Sequence, residues 1–142
     1  MVRHSSAVFA ALLCSFSPAL AQDSSPLFLV ELNKATERSG ACEIVMFARN
    51  GLSQGISNIS LKFAVVDTAG QFNSMLSLPL GAMRDKDSKF ASYTLQMPCA
   101  DLSKIVINDV VSCTLKNAEG PSDLCSDQME VNSREPDIEM AL

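Results

Sequence analysis

Apolar and polar residues alternate along this chain in short runs, and the period is two, the spacing of a half-buried β-strand. Leu27 to Leu32 is the first run. Ala41 to Arg49 is the second, with Cys42, Ile44, Met46 and Ala48 on one face and Glu43, Val45, Phe47 and Arg49 on the other. It stops at the turn dipeptide Asn50-Gly51. Ile59 to Val66 alternates most strongly, setting Ile59, Leu61, Phe63 and Val65 against Ser60, Lys62, Ala64 and Val66. Asp67-Thr68-Ala69-Gly70 then folds the chain back into Phe72 to Leu78 as a hairpin, because glycine takes the left-handed backbone the turn needs. After the charged loop Arg84-Asp85-Lys86-Asp87, Phe90 to Met97 presents Ala91, Tyr93, Leu95 and Met97 as one face, and Ile105 to Val111 is the last clear strand.

Six such runs with no amphipathic helix between them predict an all-β, immunoglobulin-like sandwich of two sheets and six or seven strands. One or two short helical turns fit between them. Ala100 to Lys104 reads as a crossover between sheets, and Asp123 to Val131 follows Ser122 and Asp123 as candidate caps. Glu135 to Leu142 reads either as a seventh edge strand or as a loose end, and Pro136 confines the strand option to an edge.

The N-terminus sets the expected compartment. Arg3 and His4 precede the apolar stretch Ala7 to Leu13, and Pro18-Ala19-Leu20-Ala21 ends in the small-x-small pattern of a secretory signal, so cleavage is expected after Ala21. The stretch is too short for a permanent membrane helix, and no later segment approaches the roughly 20 apolar residues that one needs. Residues 1–21 are thus read as a signal peptide, 22–131 as the sandwich and 132–142 as an acidic tail or edge strand. About 121 mature residues suffice for one hydrophobic core. A lipid-modified Cys14 is disfavoured because Leu13 is large where such a signal takes a small residue.

Once Cys14 leaves with the signal, Cys42, Cys99, Cys113 and Cys125 remain, an even number in an oxidising space. Three pairings are possible. Cys42 with Cys99 is favoured because an immunoglobulin-like topology makes the second and fifth strands antiparallel neighbours, so the start of one meets the end of the other. Cys113 with Cys125 is favoured because Lys116 to Ser122 is rich in turn residues. A zinc site of four thiolates is the competing reading, but the spacings of 57, 14 and 12 contain no close Cys-x-x-Cys pair.

Charge narrows the function classes. Gln22 to Lys116 holds nine acids and nine basic residues, whereas Glu119 to Leu142 sets seven acids against Arg134 alone. No basic cluster exists to displace counterions from nucleic-acid phosphates. The only histidine, His4, is discarded with the signal, which excludes Ser-His-Asp and Cys-His catalysis and histidine metal sites from the mature chain. Ser60 and Lys62 share one strand face as ordinary solvent-side residues, and each glycine is a single turn residue with no phosphate loop. Asp109 beside Asn108 reads as a strand-end hydrogen-bonding pair. Asp123, Asp127 and Glu130 follow helical spacing without a calcium loop. The methionines are too scattered for a copper carrier and read as core filling. The sequon Asn58-Ile59-Ser60 matters only in a eukaryotic secretory pathway. No cofactor is expected, and no enzyme.

The succession Asn50-Gly51 and Phe63-Ala64-Val65-Val66-Asp67-Thr68-Ala69-Gly70 resembles the core of small extracytoplasmic immunoglobulin-like modules of the FxLYD and CARDB type. Leu27 to Cys125, including Pro98-Cys99-Ala100-Asp101-Leu102 and Val106-Ile107-Asn108-Asp109-Val110, also resembles a group of periplasmic proteins of alphaproteobacteria. That resemblance implies a periplasmic sandwich in the setting of envelope transport systems, and it assigns no activity. The functional expectation is therefore a non-enzymatic binding or assembly accessory protein with a protein partner in the cell envelope. Its contact is expected along an edge strand carrying Phe72, Met75, Leu76, Leu78 and Leu80, with Arg84 to Lys89 as charged guards against uncontrolled pairing. The alternative is a secreted thiol-disulfide or weak metal-handling protein using Cys113 and Cys125.

Overall fold

A computed structural model describes residues 28–142, so the expected signal peptide and its cleavage site lie outside the described residues. The alternating runs form eight strands: β1 (Phe28–Arg38), β2 (Ala41–Asn50), β3 (Ile56–Asp67), β4 (Phe72–Met83), β5 (Ser88–Leu95), β6 (Leu102–Leu115), β7 (Met129–Ser133) and β8 (Glu139–Ala141). One sheet has the order β5-β2-β1-β7 and the other β4-β3-β6-β8. The chain is an all-β sandwich.

Each sheet buries one face because its alternation keeps one face apolar. Phe28, Val30 and Leu32 of β1 and Cys42, Ile44, Met46 and Ala48 of β2 point inward from the first sheet. Ile59, Leu61, Phe63 and Val65 of β3, with Ile105 of β6, meet them from the second and are fully buried. The β1–β2 hairpin closes through Ser39 and Gly40, whose φ angles of 53° and 84° give the left-handed pair that matches strand twist in a two-residue loop. In the β3–β4 hairpin, Asp67 Oδ1 accepts from the backbone N–H of Ala69 and Gln71 at 2.9 and 2.8 Å, and Gly70 sits at φ 75°. This is the turn the sequence predicts, now with its mechanism: one aspartate satisfies two loop donors.

Both bridges form. Cys42 joins Cys99 and Cys113 joins Cys125. β2 and β5 are antiparallel neighbours as expected, but Leu95 occupies the position opposite Cys42, and Cys99 reaches it from a 3-10 turn (Cys99–Asp101) beyond the strand. The bridge thus ties the start of β2 to the crossover between sheets.

Three expectations change. Of Ala100 to Lys104 only the first two residues are helical, and Leu102–Lys104 begin β6. The helix expected over Asp123 to Val131 is one turn, α1 (Leu124–Asp127), and Met129 to Val131 lie in β7, which pairs in parallel with β1 from Phe28↔Met129 to Leu32↔Ser133. Long-range pairing overrides the local helical spacing there. Within Glu135 to Leu142, Glu139–Ala141 pair in parallel with Lys104–Val106, giving eight strands rather than six or seven. The C-terminal segment is a strap that runs along β1 in one sheet and returns along β6 in the other.

Candidate functional site

β4 is a sheet edge, hydrogen-bonded to β3 alone. From Thr68 to Met83 it and its turn carry no charged side chain. Edge strands usually carry charges that discourage pairing with other chains. Phe72 is 63% exposed and Met75 45%. Leu76 is half-buried, while Leu78 and Leu80 belong to the core. The five edge residues singled out from sequence therefore divide: Phe72 and Met75 offer side chains, and Leu78 and Leu80 offer only backbone.

The register shows that the apolar character is not confined to the edge. Met75, Ala64, Val106 and Ala141 lie side by side across β4, β3, β6 and β8, forming an apolar row over the solvent face of the second sheet. Phe72 and Val66 continue this band, until Lys104 and Glu139 close the next row with an ion pair at 2.9 Å. At the other end of β4, Lys89 Nζ donates to the carbonyl of Leu80. Within the charged segment Arg84 to Lys89, Lys89 is thus the side chain that reaches the β4 backbone, while Arg84 turns to Asp87 at 3.6 Å. On the opposite sheet the edge strand β5 carries Phe90, 63% exposed, tilted at 51° against Phe47 with ring centroids 5.0 Å apart.

The remaining candidates are placed as follows. Cys113 and Cys125 are 3% and 0% exposed, which removes both sulfurs from any exchange partner. Ser60 and Lys62 stand on the solvent face of β3, opposite Ser112 and Asp109 of β6. Asn108 and Asp109 are exposed where the β3–β6 register shifts. Asp123 precedes α1 and Asp127 is its last residue, but Glu130 is on β7, so the helical face inferred for the three acids does not exist. No group of three or more His, Cys, Asp or Glu placed to hold a metal occurs among the described residues.

Two polar residues escaped the sequence reading. Asn50, read there as a turn residue, ends β2 fully buried: its Nδ2 donates to the carbonyls of Gln54 and Arg84, each at 3.0 Å, and its Oδ1 accepts from Leu52 N at 3.0 Å. Glu31, 3% exposed, lies on the outer face of the first sheet and accepts from Arg134 Nε at 2.6 Å and from the Asn33 and Asn132 amides at 3.2 Å. Burial pushes this carboxyl up, but the bonds from Arg134, Asn33 and Asn132 and the Arg134 charge outweigh it and hold the group below its usual value. The strap is latched beside it, because Arg134 N donates to Leu32 O at 2.9 Å and Ala35 N to Glu135 Oε1 at 2.7 Å. Nothing local marked either residue as buried, since the partners that enclose them, Arg134 and Asn132 for Glu31 and Arg84 for Asn50, lie far along the chain.

No family model and no curated protein matches the chain. Among solved structures, it resembles IrmA from Escherichia coli with a TM-score of 0.52 and 13% identity over 73% of this chain and 89% of that one. An inactive mutant of a GH20 exo-β-N-acetylglucosaminidase from Vibrio harveyi aligns with a TM-score of 0.45 and 17% identity, over 82% of this chain and 18% of that one. The first likeness is one of fold, a bacterial β-sandwich. No helix among the described residues is long and apolar enough to cross a membrane.

Proposed function

We propose that this protein is a non-enzymatic binding or assembly accessory of the bacterial envelope, exported to the periplasm, that receives an extended segment of a protein partner along β4. The observation that carries the reading is an edge strand without charge from Thr68 to Met83, bearing Phe72 and Met75 in the open and joined to an apolar row across the sheet. Strand addition to such an edge draws affinity from main-chain hydrogen bonds and specificity from alternate side chains. Two disulfides suit an oxidising compartment. Cleavage after Ala21, with 22–131 as the sandwich and 132–142 as its acidic end, belongs to the same proposal, and N-terminal sequencing of the exported protein tests the cut.

The edge is tested by placing a photocrosslinking amino acid at position 72 or 75 in cells, with position 130 on β7 as the control. A discrete adduct with an envelope protein from 72 and 75, but not from 130, is expected. Uncrosslinked monomer alone, or the same adducts from all three positions, overturns the reading. The thiol-disulfide alternative finds no support in a Cys113–Cys125 bridge with both sulfurs buried.

A further inference from the structure

At the Asn50 end of the sandwich, three chain segments enclose an open cavity of about 380 Å³. Gly55, Ile56 and Ser57 at the start of β3 form one wall, Ala82, Met83, Arg84 and Asp87 form the second, and Lys116 beyond β6 forms the third. The volume falls in the lower part of the range of small-molecule sites. Ile56 and Met83 lie at its base, 2% and 1% exposed, and the apolar surface open to a ligand is that of Ala82 and the Lys116 stem over them. The rim carries two cations and one carboxylate: Asp87 is engaged by the Arg84 backbone N–H at 3.2 Å and by the Arg84 guanidinium at 3.6 Å, which leaves Lys116 as the rim's uncompensated charge.

The walls are held in place before any ligand arrives. The Asn50 amide joins two of them by donating to Gln54 O and Arg84 O. Lys116 N donates to Gly55 O at 2.7 Å, and the Lys116 stem passes over Gly55, where an added Cβ would lie 3.5 Å from its Cδ. Lys116 makes no ion pair among the described residues. A preformed pocket with an apolar floor and a few convergent polar groups at its mouth is the usual form of a small-molecule site.

We infer that this cavity binds a small organic carboxylate with a short apolar chain, the chain resting on Ala82 and the Lys116 stem above Ile56 and Met83 and the carboxylate meeting the Lys116 ammonium. An inorganic anion would leave the floor unused, and an organic cation would meet a rim of net positive charge. The site stands apart from the reading of the β4 edge, since it uses the covered end of that strand and no exposed edge backbone.

The test is a titration of the 15N-labelled, oxidised mature protein with sodium hexanoate, followed by amide NMR. Saturable shifts centred on Gly55, Ile56, Met83 and Lys116 are expected. Butanoate, two methylenes shorter, binds roughly fifteenfold more weakly, because each buried methylene strengthens binding about fourfold. Hexylamine produces no saturable shift. Lys116→Glu weakens hexanoate by about tenfold through charge reversal at the rim, whereas Lys62→Glu on the distant solvent face leaves binding unchanged. The inference fails if hexanoate does not saturate, if its shifts centre elsewhere, if hexylamine binds equally, or if Lys116→Glu binds as the unaltered protein does.

Discussion

Replacing Asn50 by alanine removes a buried side chain whose amide and carbonyl are spent on holding two loops together. The variant loses the donor bonds to Gln54 O and Arg84 O and the acceptor bond from Leu52 N, while the Asn50 backbone bond to Asp87 O survives. The Leu52 N–H lies in a buried bond, so leaving it unpaired costs about 1–3 kcal/mol. The two carbonyls are partly buried and water can reach them, which limits their loss to about 1 kcal/mol each. The expected destabilisation is therefore about 3–5 kcal/mol, a large share of the roughly 5–15 kcal/mol that holds a small domain together. Urea denaturation of the oxidised protein at pH 7, followed by far-ultraviolet circular dichroism, measures it, since the chain has no tryptophan. Asn50→Asp separates hydrogen bonding from shape: it keeps the acceptor for Leu52 but turns a carboxylate oxygen towards two carbonyls, so it is expected to be most destabilising near neutral pH and to recover towards acid, where a protonated carboxyl can donate again. A loss below about 1 kcal/mol for the alanine variant, with an unchanged urea slope, would refute the assignment of Asn50 as the tie between the loops.

The Glu31 carboxyl is held below its usual value, so its stabilisation is complete above the unfolded value near 4.3 and fades as pH falls through the lower folded value. The stability advantage over Glu31→Gln should therefore shrink in an acid titration below about pH 4, and a difference constant from neutral pH to pH 2 would contradict it. Arg134→Ala leaves that buried carboxylate without its cation and should cost about 1–3 kcal/mol by urea denaturation, below the full penalty of a buried pair because Arg134 is itself two-thirds exposed. Removing Cys42–Cys99 as a double alanine variant should cost about 4 kcal/mol and removing Cys113–Cys125 about 3 kcal/mol, because loop-closure entropy grows with the logarithm of loop length; a reversed order in thermal or urea unfolding would show that native-state effects dominate. Met75→Arg should leave stability within about 0.5 kcal/mol, because the side chain is exposed, while abolishing crosslinks formed from position 72.

The fold was legible wherever one face of a strand is apolar along its whole length. Ile59, Leu61, Phe63 and Val65 alternate without a break and are all fully buried, so both the strand and its inward face could be read directly. The same held for Cys42 to Ala48, and the cysteine pairs followed from even count and topology. Reading failed where an element depends on a distant neighbour. Met129 to Val131 look helical by local spacing and become strand because β1 offers an unpaired edge, and Leu102 to Lys104 become strand because β3 and β8 flank them. Asn50 and Glu31 carry no local sign of burial, since burying a polar side chain is tolerable only when its partners are present. Those partners include Arg84 and Arg134, 34 and 103 residues away. Along β4, plain alternation turns Leu76 and Leu78 to the inner face, whereas the shift at Asn73, which no local pattern announces, leaves Phe72 outside.

Register shifts along β4 also bear on how an uncharged edge can be left open. Against β3, β4 carries one unmatched residue at Asn73, between the partners of Val66 and Val65, and another at Leu80, between Pro79 and Gly81. Bulges bend and twist a strand, Pro79 lacks a backbone donor, and Lys89 occupies the Leu80 carbonyl. The protection therefore concentrates from Pro79 onward and leaves Phe72 to Leu78 as the open length. Seven residues at about 3.3 Å each accept a strand of ordinary size and nothing much longer. A flat, open edge of twelve residues would pair with almost any unfolded chain; kinked at Asn73 and blocked from Pro79 on, this one, in the role proposed for it, would favour a partner that places apolar residues beside Phe72 and Met75 within a single short segment.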